Sequence, residues 1–220
     1  MKNTFLNLVL LVLLVGLTNA RGQRPDSIVR FVKDRTLVSR AFPDIKVKVD
    51  RNFKYVGNFD FNLKGVAKGE RFVFVDAKKH EVQRIFIAHF ESFLPENNQV
   101  YRYDLQNAPK IGKHSFLERA FAFSNQKAGS DPTGEAALTM KFLRDKGYVL
   151  EDEMMMSGFI TVPDAEKKHE LILLYAENVS QTNHQLSEFY ANNVETEIWK
   201  QISAKLTQRS AKAFSIERKN

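Results

Sequence analysis

Val82-Gln83-Arg84-Ile85-Phe86-Ile87-Ala88-His89-Phe90-Glu91-Ser92-Phe93-Leu94 is the longest β-favouring apolar run after the N-terminal segment, and turn-rich sequence bounds it on both sides. Its first half is apolar at both alternating positions, which suits a central strand covered above and below. Its second half sets His89 and Glu91 two residues apart, hence on one face of that strand. The only comparable stretch is Leu171-Ile172-Leu173-Leu174-Tyr175, also apolar on both faces and expected as a second central strand. Tyr175 and Glu177 follow Leu171 and Leu173 there, much as His89 and Glu91 follow Ile85 and Ile87.

Upstream of the first run the period is two. Ile45, Val47 and Val49 alternate with charged residues, and Phe53, Tyr55, Phe59, Phe61 and Leu63 share one face. Gly57 interrupts that face and marks a bulge or bend. Arg71 to Asp76 returns as a strand, and Val100 to Leu105 alternates once more after Pro95, with Tyr101 and Tyr103 on one face. Short connections make these strands antiparallel neighbours in a five-strand meander. Ser27 to Ser39 fits a short helix or a first strand equally.

Downstream the period turns helical. Ser115 and Glu118 have capping-box spacing, opening a helix with Leu117, Ala120, Phe121 and Phe123 as buried candidates and Gly129 as its end. Asp131-Pro132 opens a second helix that stops at Gly147. Met154 to Val162 and Glu170 to Val179 flank a strong turn, Pro163 to Lys168, and read as a two-strand hairpin. Leu186, Tyr190, Val194, Ile198, Ile202 and Leu206 recur every four residues, which predicts a long helix from about Gln185 to Gln208. The expected fold is α+β: a curved antiparallel sheet, the meander plus the hairpin, packed against the long C-terminal helix, with two shorter helices between. In architecture alone this resembles helix-grip and other curved-sheet ligand-binding folds.

The ends bear on location. Met1-Lys2-Asn3 is a short basic start, Phe5 to Leu17 is almost unbroken apolar sequence, and Thr18-Asn19-Ala20 offers small residues for a signal peptidase. Residues 1–20 therefore read as a signal peptide cleaved after Ala20, too short in its apolar core for the roughly 20 residues of a spanning helix. No later run approaches spanning length, so no transmembrane span remains after cleavage. Residues 21–26 are expected to be disordered, 27–208 to form one domain, and 209–220 to be a basic, frayed tail. A domain of this size buries roughly 70% of its unfolded surface, so one core suffices without disulfides. The chain has no cysteine, which suits a bacterial periplasm or surface better than a small disulfide-stapled secreted module.

The formal charge of +7 is spread as single and paired basic residues among acids. It is compatible with an anionic envelope surface as partner; no Lys/Arg-rich block of the nucleic-acid-binding kind occurs. No nucleophile elbow, phosphate-binding glycine loop or metal-ligand spacing is found, and the five histidines are scattered. No catalytic residue, metal ligand or cofactor is assigned on these grounds. What remains is polar groups inside apolar strands, and eighteen phenylalanines, many on strand faces, that either fill a core or line a hollow. His89, Glu91, Tyr101, Tyr103, Tyr175 and Glu177 are the candidate ligand-binding residues of an exported protein holding an apolar or amphipathic small molecule between sheet and helix. Two alternatives are an enzyme using Glu91 and Glu177 as acid and base, and a cell-envelope interaction protein docking through its helix or basic tail.

Overall fold

The computed structural model describes residues 29–217; the expected signal peptide and the segment 21–26 lie outside the described residues. The fold is α+β and mostly sheet, and every named strand pair is antiparallel. The strands β1 (Arg30–Lys33), β2 (Thr36–Ser39), β3 (Ile45–Val49), β4 (Lys54–Leu63), β5 (Ala67–Lys78) and β6 (Glu81–Phe93) follow one another, then the two-residue pair β7 (Lys110–Ile111) and β8 (His114–Ser115). After β9 (Leu117–Ser124) come α1 (Asn125–Ala128), α2 (Glu135–Asp145), and the hairpin β10 (Glu153–Thr161) and β11 (His169–Asn178). The small hairpin β12 (Tyr190–Ala191) and β13 (Val194–Glu195) precedes α3 (Glu197–Ser210) and β14 (Phe214–Ile216).

Six strands form the main sheet in the order β4-β5-β6-β11-β10-β9. The two doubly apolar runs, β6 and β11, are adjacent at its centre. Their side chains divide by parity between two cores. Phe72, Phe74, Phe86, Phe90, Leu171, Leu173 and Tyr175 point one way, into a core closed by α3 and by a second sheet ordered β1-β2-β3-β14. Val73, Val75, Ile85, Ile87 and Ala176 point the other way, beneath Leu143 of α2. The molecule is therefore layered around the main sheet, and each central strand is covered on both faces.

Several expectations are corrected. Ile45–Val49 leaves the meander, because Asp50 turns the chain (Phe53 N donates to Asp50 O at 3.1 Å) and β3 pairs with β2 and β14 instead. Val100 to Leu105 is not a strand: β11 already occupies the edge of β6 it would have used. The helix expected after Ser115 is β9, an edge strand on β10, and only the four residues of α1 are helical, capped by Ser124. Its sequence satisfies a period of two as well as one of 3.6, with Arg119, Phe121 and Phe123 sharing a face. The second helix is found, ending near Gly147 at a left-handed φ of 82°, but it opens at Glu135 after Gly134 rather than at Asp131-Pro132, which form a turn.

The C-terminal helix is shorter than expected. Asn192 and Asn193, at φ 52° and 63°, turn the hairpin β12–β13, and Thr196 caps the helix by accepting from Trp199 N. Residues 209–217 are no frayed tail, since Ala213 and Phe214 are buried and Phe214 to Ile216 pair with β3. No helix among the described residues is long and apolar enough to cross a membrane. The bulge expected at Gly57 is present, with φ 131°, and Phe142 of α2 packs where a side chain would begin, 3.1 Å from an added Cβ.

α3 is fixed to the sheet by charge as well as by grease. Glu177 is 3% exposed, and Arg209 holds it bidentately, Nε to Oε1 at 2.8 Å and Nη2 to Oε2 at 2.6 Å. Removing one member of such a pair leaves a buried carboxylate unpaired. Arg209→Ala is expected to lower stability by about 3 kcal/mol in urea denaturation, and Glu177→Gln by less, because it removes the buried charge itself. A loss for Arg209→Ala no larger than that of an exposed ion pair would contradict this.

Candidate functional site

On the α2 side of the main sheet the apolar pattern is broken at one end. Arg71 of β5 follows the parity of Val73 and Val75, and its register partner His89 of β6 follows that of Ile85 and Ile87. Arg71 is 6% exposed and His89 1%. A buried guanidinium is tolerable only when its donors are matched. Here Nε donates to His89 Nδ1 at 2.9 Å. Nη1 donates to the Glu135 carbonyl at 3.0 Å and to Thr139 Oγ1 at 2.6 Å. Nη2 is ion-paired to the Glu135 carboxylate. Glu135 and Thr139 belong to the first turns of α2, so Arg71 pins that end of the helix to the sheet.

The network continues through the imidazole. Because Nδ1 accepts, the ring proton sits on Nε2, which donates to Glu91 Oε2 at 3.2 Å. Glu91 Oε1 accepts from the Tyr101 hydroxyl at 2.6 Å. Phe61 roofs the pair: its ring centroid lies 5.4 Å from that of His89, and it fits only because Gly69 has no side chain, since a Cβ there would meet the ring at 2.2 Å. Tyr101 and Tyr103 come from the irregular segment 94–109, held across the sheet end by Lys168 Nζ, which donates to Asn97 O at 2.6 Å and Gln99 O at 2.8 Å.

Charge is distributed unequally. Burial lowers the His89 pKa, so the ring is neutral. Burial alone would raise Glu91, but hydrogen bonds from His89 and Tyr101 and the charge of Arg71 outweigh it, and its pKa falls below the ordinary carboxylate value. Glu170 is the register partner of Glu91, is 4% exposed, and leaves Oε1 without a hydrogen-bond partner. Burial first, then the neighbouring Glu91 and Glu135, push its pKa up to about 7 against a hydrogen bond from Tyr103. Like charges directly across a strand pair repel, so this pair ionises one member at a time. Tyr101 and Tyr103 are both raised, by burial and then by the carboxylate each one meets, and stay protonated donors.

Beside this network lies a hollow. α2 covers β4 to β6, which leaves the faces of β11, β10 and β9 open beneath α1 and the start of α2. The space has a volume of about 400 Å³. Ile85, Ile87, Ile172, Leu174, Met154, Met156, Ile160 and Phe123 line its floor, with Ala136, Met140 and Leu150 at its sides. Leu174 packs over Gly158 in the floor. The polar lining is Arg71, Glu135, Thr139, Arg119 and Asn125.

The six residues expected to bind a ligand separate into groups. His89, Glu91 and Tyr101 meet in one network, and Tyr103 joins it through Glu170. Tyr175 and Glu177 do not: they project from the opposite face of β11, where the Tyr175 hydroxyl donates to Glu177 and Arg209 caps it. Glu177 is in register with Arg84, seven residues along β6 from Glu91. The Glu91–Glu177 acid–base pair is thereby overturned, since the sheet itself separates the two carboxyls. None of the six lines the hollow; four of them hold its polar end in place from behind. The sequence reading missed Arg71, Arg119, Glu135, Thr139 and Glu170. Arg71 and Glu170 were signalled by polar residues on the buried parity of apolar strands.

One donor atom from each of His89, Glu91 and Glu135 lies within 4.8 Å of the others. Arg71 is ion-paired to Glu135 within this set, and both imidazole nitrogens are engaged, so the cation these residues are built around is the guanidinium. Comparison with protein-family models, with curated proteins and with solved structures finds no match.

Glu170 makes stability depend on pH. Its folded pKa of about 7 lies above the ordinary 4.5, so the folded state holds a proton that the unfolded chain gives up. Its contribution is full below pH 4.5 and is lost as pH rises through 7. Glu170→Gln, neutral throughout, should gain on the unaltered protein by roughly 3 kcal/mol between pH 4.5 and 8. Urea denaturation of both proteins at several pH values measures the gap, and a constant gap would contradict the assignment.

Proposed function

We propose that this is an exported binding protein for an apolar or amphipathic small molecule, held in the hollow between the main sheet and α1–α2. The observation that carries the reading is a concavity of about 400 Å³ lined mainly by aliphatic, aromatic and methionine side chains, with Arg71, Glu135 and Thr139 at one end and Arg119 and Asn125 at the other side. Ligand sites have that composition and size. Met140, Met154 and Met156 supply adaptable lining. The export part rests on residues 1–20, whose basic, apolar and small-residue succession is that of a signal peptide. The bulge at Gly57 supports a sheet that curls about the hollow.

This is a different place from the one the sequence suggested. The C-terminal helix lies on the other face of the sheet, and the cavity it borders there, with Arg84, Glu177, Lys205 and Arg209 in its lining, is polar rather than apolar. A catalytic role for His89 has little support, because the ring is buried and both its nitrogens are occupied. The polar network is better suited to rigidity: it fixes α2, and α2 fixes one wall of the hollow.

An uncharged naphthylamine dye should fluoresce on binding the purified protein, and mass spectrometry under native conditions should detect a co-purifying apolar molecule. Ala136→Trp, which places an indole at the side of the hollow from the surface of α2, is expected to cut dye affinity at least about tenfold while leaving thermal stability nearly unchanged. Equal dye binding by both proteins would place the dye elsewhere and sink the reading.

A further inference from the structure

We infer that the molecule held in the hollow is an anionic amphiphile, its tail along the sheet and its head against Arg119. The inference rests on the preceding reading of the hollow as a small-molecule site and adds the chemistry of the ligand.

Two cations line the hollow, and they are in opposite states. Arg71 is spent: all of its nitrogens are engaged with His89, Glu135 and Thr139. Arg119, on the edge strand β9, forms no ion pair and no hydrogen bond among the described residues. It stands in register with Gly158 of β10, where the Leu174 side chain fills the place a side chain would begin, so the floor beside it is apolar. Its parity partner Phe121, also lining the hollow, is 44% exposed, so this is the hollow's open rim.

The other charges around the rim favour an anion over a cation. The acid that lines the hollow, Glu135, is already neutralised by Arg71. Glu118, the neighbour of Arg119, projects to the opposite face of β9 by strand alternation. A ligand cation would meet a guanidinium and no free carboxylate. A carboxylate or phosphate monoester would meet a planar, unpaired guanidinium able to bind it bidentately, with an apolar floor leading away from it.

The test uses a twelve-carbon series displacing the uncharged dye from the full mature chain: dodecanol, dodecanoate, dodecyl phosphate and dodecyltrimethylammonium. One of the two anions should bind at least about tenfold more tightly than dodecanol, the value of one charge-assisted hydrogen-bonded contact, and the cation more weakly than either. Preference for dodecyl phosphate would point to a phospholipid-derived ligand, and preference for dodecanoate to a free fatty acid. Arg119→Gln should abolish the anion preference without changing dodecanol affinity, and Arg119→Glu should reverse it. Equal binding of dodecanol and both anions by the unaltered protein, or a parallel loss of all four ligands in Arg119→Gln, would overturn the inference while leaving the hollow a ligand site. Failure of the dye and the whole series to bind would instead overturn the underlying reading.

Discussion

A strand that is apolar on both faces must be covered twice, and this molecule has two of them side by side. β6 and β11 cannot face water on either side, so the main sheet needs a layer above and a layer below. One layer is the small sheet with α3, and the other is α2. Both layers come from sequence remote from the strands they cover. The layer over the first face is closed by residues on either side of the main sheet's strands, and the layer over the second by the segment between β9 and β10. Everything distinctive about the site follows from the incompleteness of the second layer: α2, eleven residues long, covers half of the sheet and leaves the other half open.

Where α2 begins, the sheet changes character. Arg71, His89 and Glu91 replace the aliphatic residues of the same strand faces, and their charges are balanced within the network rather than by solvent. Removing a guanidinium from water is costly, and the cost is offset only by a full set of partners. The same completeness makes the network a poor place for chemistry and a good anchor. Glu170 is the exception, with one carboxyl oxygen unmatched and a proton retained near neutrality.

Much of the scaffold was legible. The doubly apolar runs read as adjacent-layer core and became the central strands. The bulge at Gly57, the hairpin around Pro163 to Lys168 and the helix ending at Gly147 each carry a local signal with one physical meaning. Leu117 to Ser124 failed because Leu117, Phe121 and Phe123 at alternate places, with Ala120 and Ala122 between, satisfy two periods at once, and tertiary pairing decides. The long C-terminal helix failed because spacing by four was counted across Asn192-Asn193, a pair suited to a left-handed turn. At the site, His89 and Glu91 were found as polar interruptions, but their partners were not. Glu135 and Thr139 lie on a helix whose position over the sheet is not written in any local pattern, and the symmetry between His89–Glu91 and Tyr175–Glu177 is one of sequence only, since adjacent strands offset by one residue present it on opposite faces.

The pairing of β14 with β3 has a kinetic side. Val49 and Phe214 are register partners, yet nearly the whole described chain lies between them. The small sheet therefore acquires its last edge, and the aromatic core its Phe214, only when the segment after α3 is available. Contacts of such long sequence separation are formed late and slowly. A chain in which β14 has not yet docked would carry an unpaired β3 edge beside an unsealed core, an aggregation-prone state of the kind chaperones hold.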